Sequence, residues 1–116
     1  MNAHSRTIEG VFIIDLSGRM TGLDTPGQLK DQVLDALGAG HRNVVLNLSK
    51  LSFVDSSFIG ELVSSCLAVA RAGGMLKLAS PVRRVQELLF ITRLATIIES
   101  YETEPAAIAS FTKPAN

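Results

Sequence analysis

The residues with the most chemical potential in this chain are the run Asp55 Ser56 Ser57, placed where an apolar extended segment gives way to a helical pattern. An aspartate at a helix start accepts hydrogen bonds from the free amides of the first turn. With Asp55 in that role, the Ser57 hydroxyl falls in the first turn, on a polar helix face continued by Glu61, Ser64, Ala68 and Arg71. Unbonded amides and the positive dipole end there would stabilise an anion by about 0.3 to 1 kcal/mol, so a phosphate on Ser57 would leave the domain folded. On cap preference alone, the simplest reading of the triplet is a helix cap.

Other chemistries lack candidates. There is no glycine loop with its phosphate-binding lysine, no nucleophile elbow, and no histidine or cysteine pair at metal spacing. A phospho-aspartate receiver needs several carboxylates to hold magnesium, and Asp55 has no such companions in sequence. Neither an enzyme nor a cofactor is expected. The lone Cys66 excludes an internal disulfide, fits a reducing compartment, and has the apolar neighbours of a buried, inert thiol. Eleven basic and eleven acidic residues cancel, which argues against a nucleic-acid partner. The basic cluster of Arg83, Arg84 and Arg93 is interrupted by Glu87 and reads as a solvated helix face. Met1 to Gly10 lacks the pattern of a secretory signal, and the longest apolar stretch, Phe58 to Ala70, is broken by Glu61 and too short to span a bilayer. A cytoplasmic protein with no direct membrane insertion is expected.

The elements that must position the triplet follow from periodicity and punctuation. Two extended segments between Thr7 and Leu16, turning at Glu9 and Gly10, read as a β-hairpin, with Val11 to Ile14 apolar on both faces. A helix starts at Thr25 as cap, with Pro26 in its first position and Gln28 completing a capping box, and presents Leu29, Val33, Ala36 and Leu37. A strand over Asn43 to Leu48 leads to a helix from near Asp55 to Arg71, closed by Gly73 and Gly74, with Ile59, Leu62, Val63, Cys66, Val69 and Ala70 toward the core. Met75 to Ala79 is the next strand. Ser80 and Pro81 open a helix that buries Val82, Val85, Leu88 and Leu89. A last strand over Ala95 to Tyr101, a short helix from about Pro105 to Phe111 and a frayed tail over 112–116 complete the chain. Asp15 reads as a hydrogen-bonded strand residue, His41 as a loop residue, and His4 as part of a mobile end. The alternation predicts an α/β fold: a single small domain over 1–116, with a mostly parallel sheet, an N-terminal hairpin at one side and helices packed on the sheet.

The segment from Leu46 to Gly60, the stretch Asp15 Leu16 Ser17 Gly18 Arg19 Met20 and the passage Gly73 Gly74 Met75 Leu76 Lys77 Leu78 together resemble the STAS family. That fold is shared by anti-sigma factor antagonists and the cytosolic domains of anion transporters. The resemblance implies a protein-binding switch of the antagonist type. Ser57 corresponds to the serine phosphorylated by an anti-sigma factor that is itself a serine kinase. The unphosphorylated domain binds that kinase and frees a sigma factor, phosphorylation dissolves the complex, and a phosphatase reverses it. Asp55, Ser56, Phe58, Glu61 and Thr21 are the implied partner-binding positions. Phe58 stands where the family has glycine, either as a hydrophobic anchor for a partner or as an obstruction beside the hydroxyl. Thr21 stands where the family often carries an acidic residue. STAS domains also serve as subunits of membrane lipid transporters and of stress-signalling scaffolds, which dock without a phospho-switch.

Overall fold

The computed structural model describes residues 1–112. Strands β1 (Asn2–Ile8) and β2 (Val11–Met20) form the expected hairpin. Glu9 and Gly10 take φ of 52° and 79°, the left-handed pair whose twist matches that of the flanking strands. β1 reaches further back than expected and pairs His4 with Asp15, so His4 belongs to the sheet and not to a mobile end. Its mostly exposed, polar side chains are those of an edge strand, where weak hydrophobic alternation hides the strand from sequence reading.

Helix α1 (Gln28–Gly38), β3 (Asn43–Val54), α2 (Ser57–Arg71), β4 (Met75–Ala79), α3 (Arg83–Ile91), a short 3-10 turn over Leu94–Thr96, β5 (Ser100–Tyr101) and α4 (Glu104–Thr112) follow. The sheet runs β1-β2-β3-β4-β5, antiparallel only at the hairpin. Period-two alternation sends Ile14, Leu16, Leu46, Leu48, Leu76 and Leu78 into the larger core, with Leu29 and Val33 of α1, Leu62 and Val69 of α2, and Val85 of α3. Val11, Ile13, Val45 and Ala79 face the other way and are covered by Ala107 and Ile108 of α4.

Further along the chain, other element boundaries depart from expectation, each for a local reason. β3 runs to Val54, not Leu48, because its pairing with β2 survives two register shifts, where β3 holds one more residue than its partner. Such bulges break the alternation that marks a strand in sequence. α1 does not start in a Thr25 capping box: its N-cap is Gly27, and Thr25 is buried with its hydroxyl bonded to the Thr21 carbonyl at 2.9 Å. α3 is not capped by Ser80, whose hydroxyl donates to the Glu102 carbonyl at 3.1 Å. The last strand shrinks to two residues, since the Ile98 amide turns back to Leu94 at 2.8 Å and only Ser100 and Tyr101 pair with β4. The C-terminal helix takes in Thr112, and the rest of the expected tail, 113–116, lies outside the described residues.

α2 ends as expected, with the Gly74 amide reaching the Val69 carbonyl at 2.9 Å and Gly73 at φ 87°. Its buried stripe differs: Phe58, Leu62, Ser65 and Val69 are buried, while Ile59, Val63 and Cys66 are half-buried and Ala70 is exposed. Placing the Phe58 ring in the core rotates the helix toward that side. The hydroxyl of Ser65 is buried there with no hydrogen-bond partner among the described residues. Phe58→Ala should therefore cost about 3 to 5 kcal/mol of unfolding free energy. Ser65→Ala, which removes an unsatisfied buried hydroxyl, should stabilise by about 1 kcal/mol. Urea unfolding of the two variants beside the wild type checks both.

Candidate functional site

β2 and β3 are parallel neighbours, so the two connections that leave their carboxyl ends emerge side by side. Met20 pairs with Val54, and the Asp55 amide donates to the Met20 carbonyl at 3.3 Å. The loop of residues 21–27 and the start of α2 are thereby held together at one end of the sheet.

Asp55 organises this junction. Its Oδ1 accepts the Ser57 amide at 3.0 Å and also the Ser57 hydroxyl, while its Oδ2 accepts the Gly22 amide at 3.1 Å. The carboxyl is held below the ordinary aspartate range, first by the Ser57 hydroxyl bond and then by the Gly22 and Ser57 amides. The Asp55 cap expected from sequence is thus present, one residue before the formal N-cap, Ser56, which is exposed.

The loop is knotted on itself. The Thr21 hydroxyl accepts the Asp24 amide at 2.9 Å, and the Thr25 hydroxyl accepts the Thr21 amide at 3.2 Å. Gly22 lies against Ser57 so closely that a Cβ there would sit 3.1 Å from the serine Cβ and Oγ. The next residue, Leu23, is 90% exposed. Phe53, two residues before Asp55, is 46% exposed, and the Arg19 guanidinium lies 4.6 Å from its ring centre.

The residues singled out from sequence separate into two groups. Ser57 is half-buried and sits with Asp55 and Ser56 at the junction. Thr21 is buried and bonded within its loop, so its side chain offers no surface to a partner. Phe58 is fully buried, which removes both readings of its ring, exposed anchor and obstruction beside the hydroxyl. Glu61 does not face open solvent: its Oε1 accepts the Leu29 and Lys30 amides at 3.1 and 3.3 Å, supplying to the start of α1 the acceptor that Gly27 lacks. The polar face of α2 thus lies against α1, where Lys30 also bonds to Ser64. Gly22, Leu23 and Phe53 were missed by the sequence reading. Exposed apolar residues in segments read as loop were the available signal.

A second polar cleft, of about 540 Å³, lies over β1 and β2 and is lined by His4, Arg6, Asp15, Asn47, Lys50 and Glu104, among others. Arg6 is bonded there to both oxygens of Asp15, at 2.8 and 3.0 Å, and to Glu104. That pairing holds Asp15 below its ordinary range. Burial pushes the Cys66 thiol up to about 11, as expected of an inert cysteine. Arg83 and Arg84 both lie beside Glu87 on the exposed side of α3. No group of metal ligands occurs among the described residues, and no helix among them is long and apolar enough to cross a membrane.

The sheet order, the hairpin and the Asp-Ser-Ser junction define a STAS domain. The STAS domain model matches residues 2–107, and the chain belongs to that family. A Thermotoga neapolitana protein, provisionally named an anti-sigma factor antagonist, is 30% identical over 89% of this chain and 91% of its own length. The fold is shared with the crystal structure of a provisionally assigned anti-sigma factor antagonist from Thermotoga maritima. That match has a TM-score of 0.87 at 22% identity and covers 96% of this chain and 95% of that one. The phosphorylated form of the Bacillus cell fate determinant SpoIIAA matches with a TM-score of 0.72 at 20% identity, covering 95% of this chain and 99% of that one.

The lowered pKa of Asp55 fixes the sign of a pH effect. A carboxylate depressed in the folded state contributes stability above its unfolded value and loses it as pH falls through the folded value. The Gly22 and Ser57 amide resonances should therefore titrate together, with a midpoint below 3.8, the ordinary aspartate value. NMR titration would show this midpoint, and Asp55→Asn should abolish the titration at both amides.

Proposed function

We propose that this domain is an anti-sigma factor antagonist whose docking is switched at Ser57. Unmodified, it binds an anti-sigma factor that is a serine kinase, and phosphorylated, it is released. The observation that carries this reading is the placement of Ser57: a half-buried hydroxyl at the start of α2, held by Asp55, with the exposed Phe53 on the strand that leads to it and the exposed Leu23 next to Gly22, which lies against it. The names of the Thermotoga relatives support the general role, and the phosphorylated SpoIIAA structure supports a domain of this fold carrying phosphate.

In this reading the Ser57 Oγ exchanges its proton for the phosphoryl group of a nucleoside triphosphate held by the kinase, leaving the diphosphate there. The product places about two negative charges beside Asp55, at a surface that a partner must desolvate to dock. Leu23, and Phe53 with its Arg19 companion, supply the apolar contact area that Phe58 does not. Apolar and aromatic side chains of this kind are common anchors at protein interfaces. A phosphatase that removes the group would restore docking. In this reading the domain works by docking and not by catalysis.

The test pairs wild type and Ser57→Asp as baits in a lysate of the native host. An ATP-dependent serine kinase should be retained by wild type, lost with Ser57→Asp, and add about 80 Da to Ser57 when purified and supplied with ATP. A membrane transporter ATPase or other STAS scaffold subunits, bound equally by both baits, would replace this reading with constitutive docking. Leu23→Ala and Phe53→Ala should each weaken binding of the recovered kinase about ten-fold or more by titration calorimetry. Both should leave unfolding free energy within about 0.5 kcal/mol of wild type.

A further inference from the structure

One carboxylate, that of Asp55, ties Ser57 to Gly22, the neighbour of Leu23. The two oxygens of Asp55 divide their work: Oδ1 takes the serine amide and hydroxyl, and Oδ2 takes the Gly22 amide. The loop bearing Leu23 is itself a closed unit, tied through Thr21, Asp24 and Thr25. Its side-chain tie to the start of α2 is the bond from Gly22 to Asp55, reinforced by the close approach of Gly22 to Ser57.

We infer that phosphorylation of Ser57 releases this tie and displaces Leu23, so the modified domain loses its docking surface by loop movement as well as by charge. This rests on Ser57 being the phosphorylated residue. Three features support it. A phosphorylated Oγ has no proton to donate to Oδ1. The space on the Gly22 side of Oγ is already closed, since even one added carbon at Gly22 would come within 3.1 Å of it. A dianion beside the carboxylate also opposes the arrangement that lets Asp55 face both Ser57 and Gly22. The helix start is the stiffer side of the junction, because Phe58 is fully buried in the core while Leu23 is 90% exposed. The loop therefore moves.

The experiment uses the isolated full chain with phosphoserine built in at position 57 during translation, compared with the unmodified chain and with Ser57→Ala. The expected result is amide exchange at Gly22 about ten-fold faster in the phosphoserine protein, reflecting loss of a bond to a charged acceptor. Leu23 amide and methyl resonances should shift, while those of Val44 and Leu46 stay in place. Ser57→Ala keeps the amide bond to Oδ1 and adds no charge, so it should leave Gly22 protected. Unchanged Gly22 protection and Leu23 resonances in the phosphoserine protein would overturn the inference. The measurement needs no partner. Failure to recover a kinase would therefore count against the proposed function and not against the loop response to phosphoserine, and loss of kinase binding by a phosphoserine protein whose loop has not moved would sink the loop mechanism alone.

Discussion

The arrangement at the candidate site depends on the parallel pairing of β2 with β3 being carried to the ends of both strands. That pairing crosses two places where β3 holds an extra residue, and it still closes with Met20 opposite Val54. A bulge adds local twist and changes which face the following residues present. This is how Leu51 and Val54, three apart, both reach the core, while Phe53 between them is left exposed. Had the pairing stopped at Leu48, the last residues of β3 would have formed a free connection, and nothing would place Asp55 within reach of Gly22.

Once the two strand ends are adjacent, the unsatisfied amides of two helix starts must be answered in a small space. Each start leaves amides without partners inside its own helix. Asp55, just ahead of α2, answers the Ser57 amide, and α2 answers those of α1 through Glu61, one turn past Ser57. Two carboxylates, one ahead of α2 and one on it, thus join three segments, and Lys30 bonding to Ser64 reinforces the contact. Ser57 lies between the carboxylates. Its hydroxyl is a minor partner in packing terms, but its modification changes the charge balance of every group around it.

Much of this was legible in sequence, and the exceptions share a cause. The hairpin, the order of strands and helices, the buried stripe of α1 and the Asp55 cap all rest on local signals: left-handed turn residues, periodicity, an acidic residue before a helix. The capping of α1 by Glu61 is contact between residues about thirty apart, which no local motif encodes. Thr25 and Ser80 each had the look of a cap, yet their hydroxyls are taken by carbonyls outside the helices they would cap, those of Thr21 and Glu102. Phe58 was misplaced because a residue just after a cap serine can face either way. Only the rotation of α2 against the sheet decides, and the largest apolar side chain on the helix sets it.

The burial of Phe58 also explains how an aromatic residue can follow Ser57, the proposed acceptor. A small residue there would leave the first turn of α2 held mainly by its hydrogen bonds, and helix ends fray readily. A fully buried ring adds roughly 1.5 to 3 kcal/mol of anchoring at that turn. A charge added to Ser57 then finds little relief in unwinding the helix that carries it. The strain passes to the neighbouring segment that is most exposed. That segment is the exposed stretch Gly22, Leu23 and Asp24 between the buried Thr21 and Thr25, so in the proposed switch the bulky residue beside Ser57 directs the response toward it.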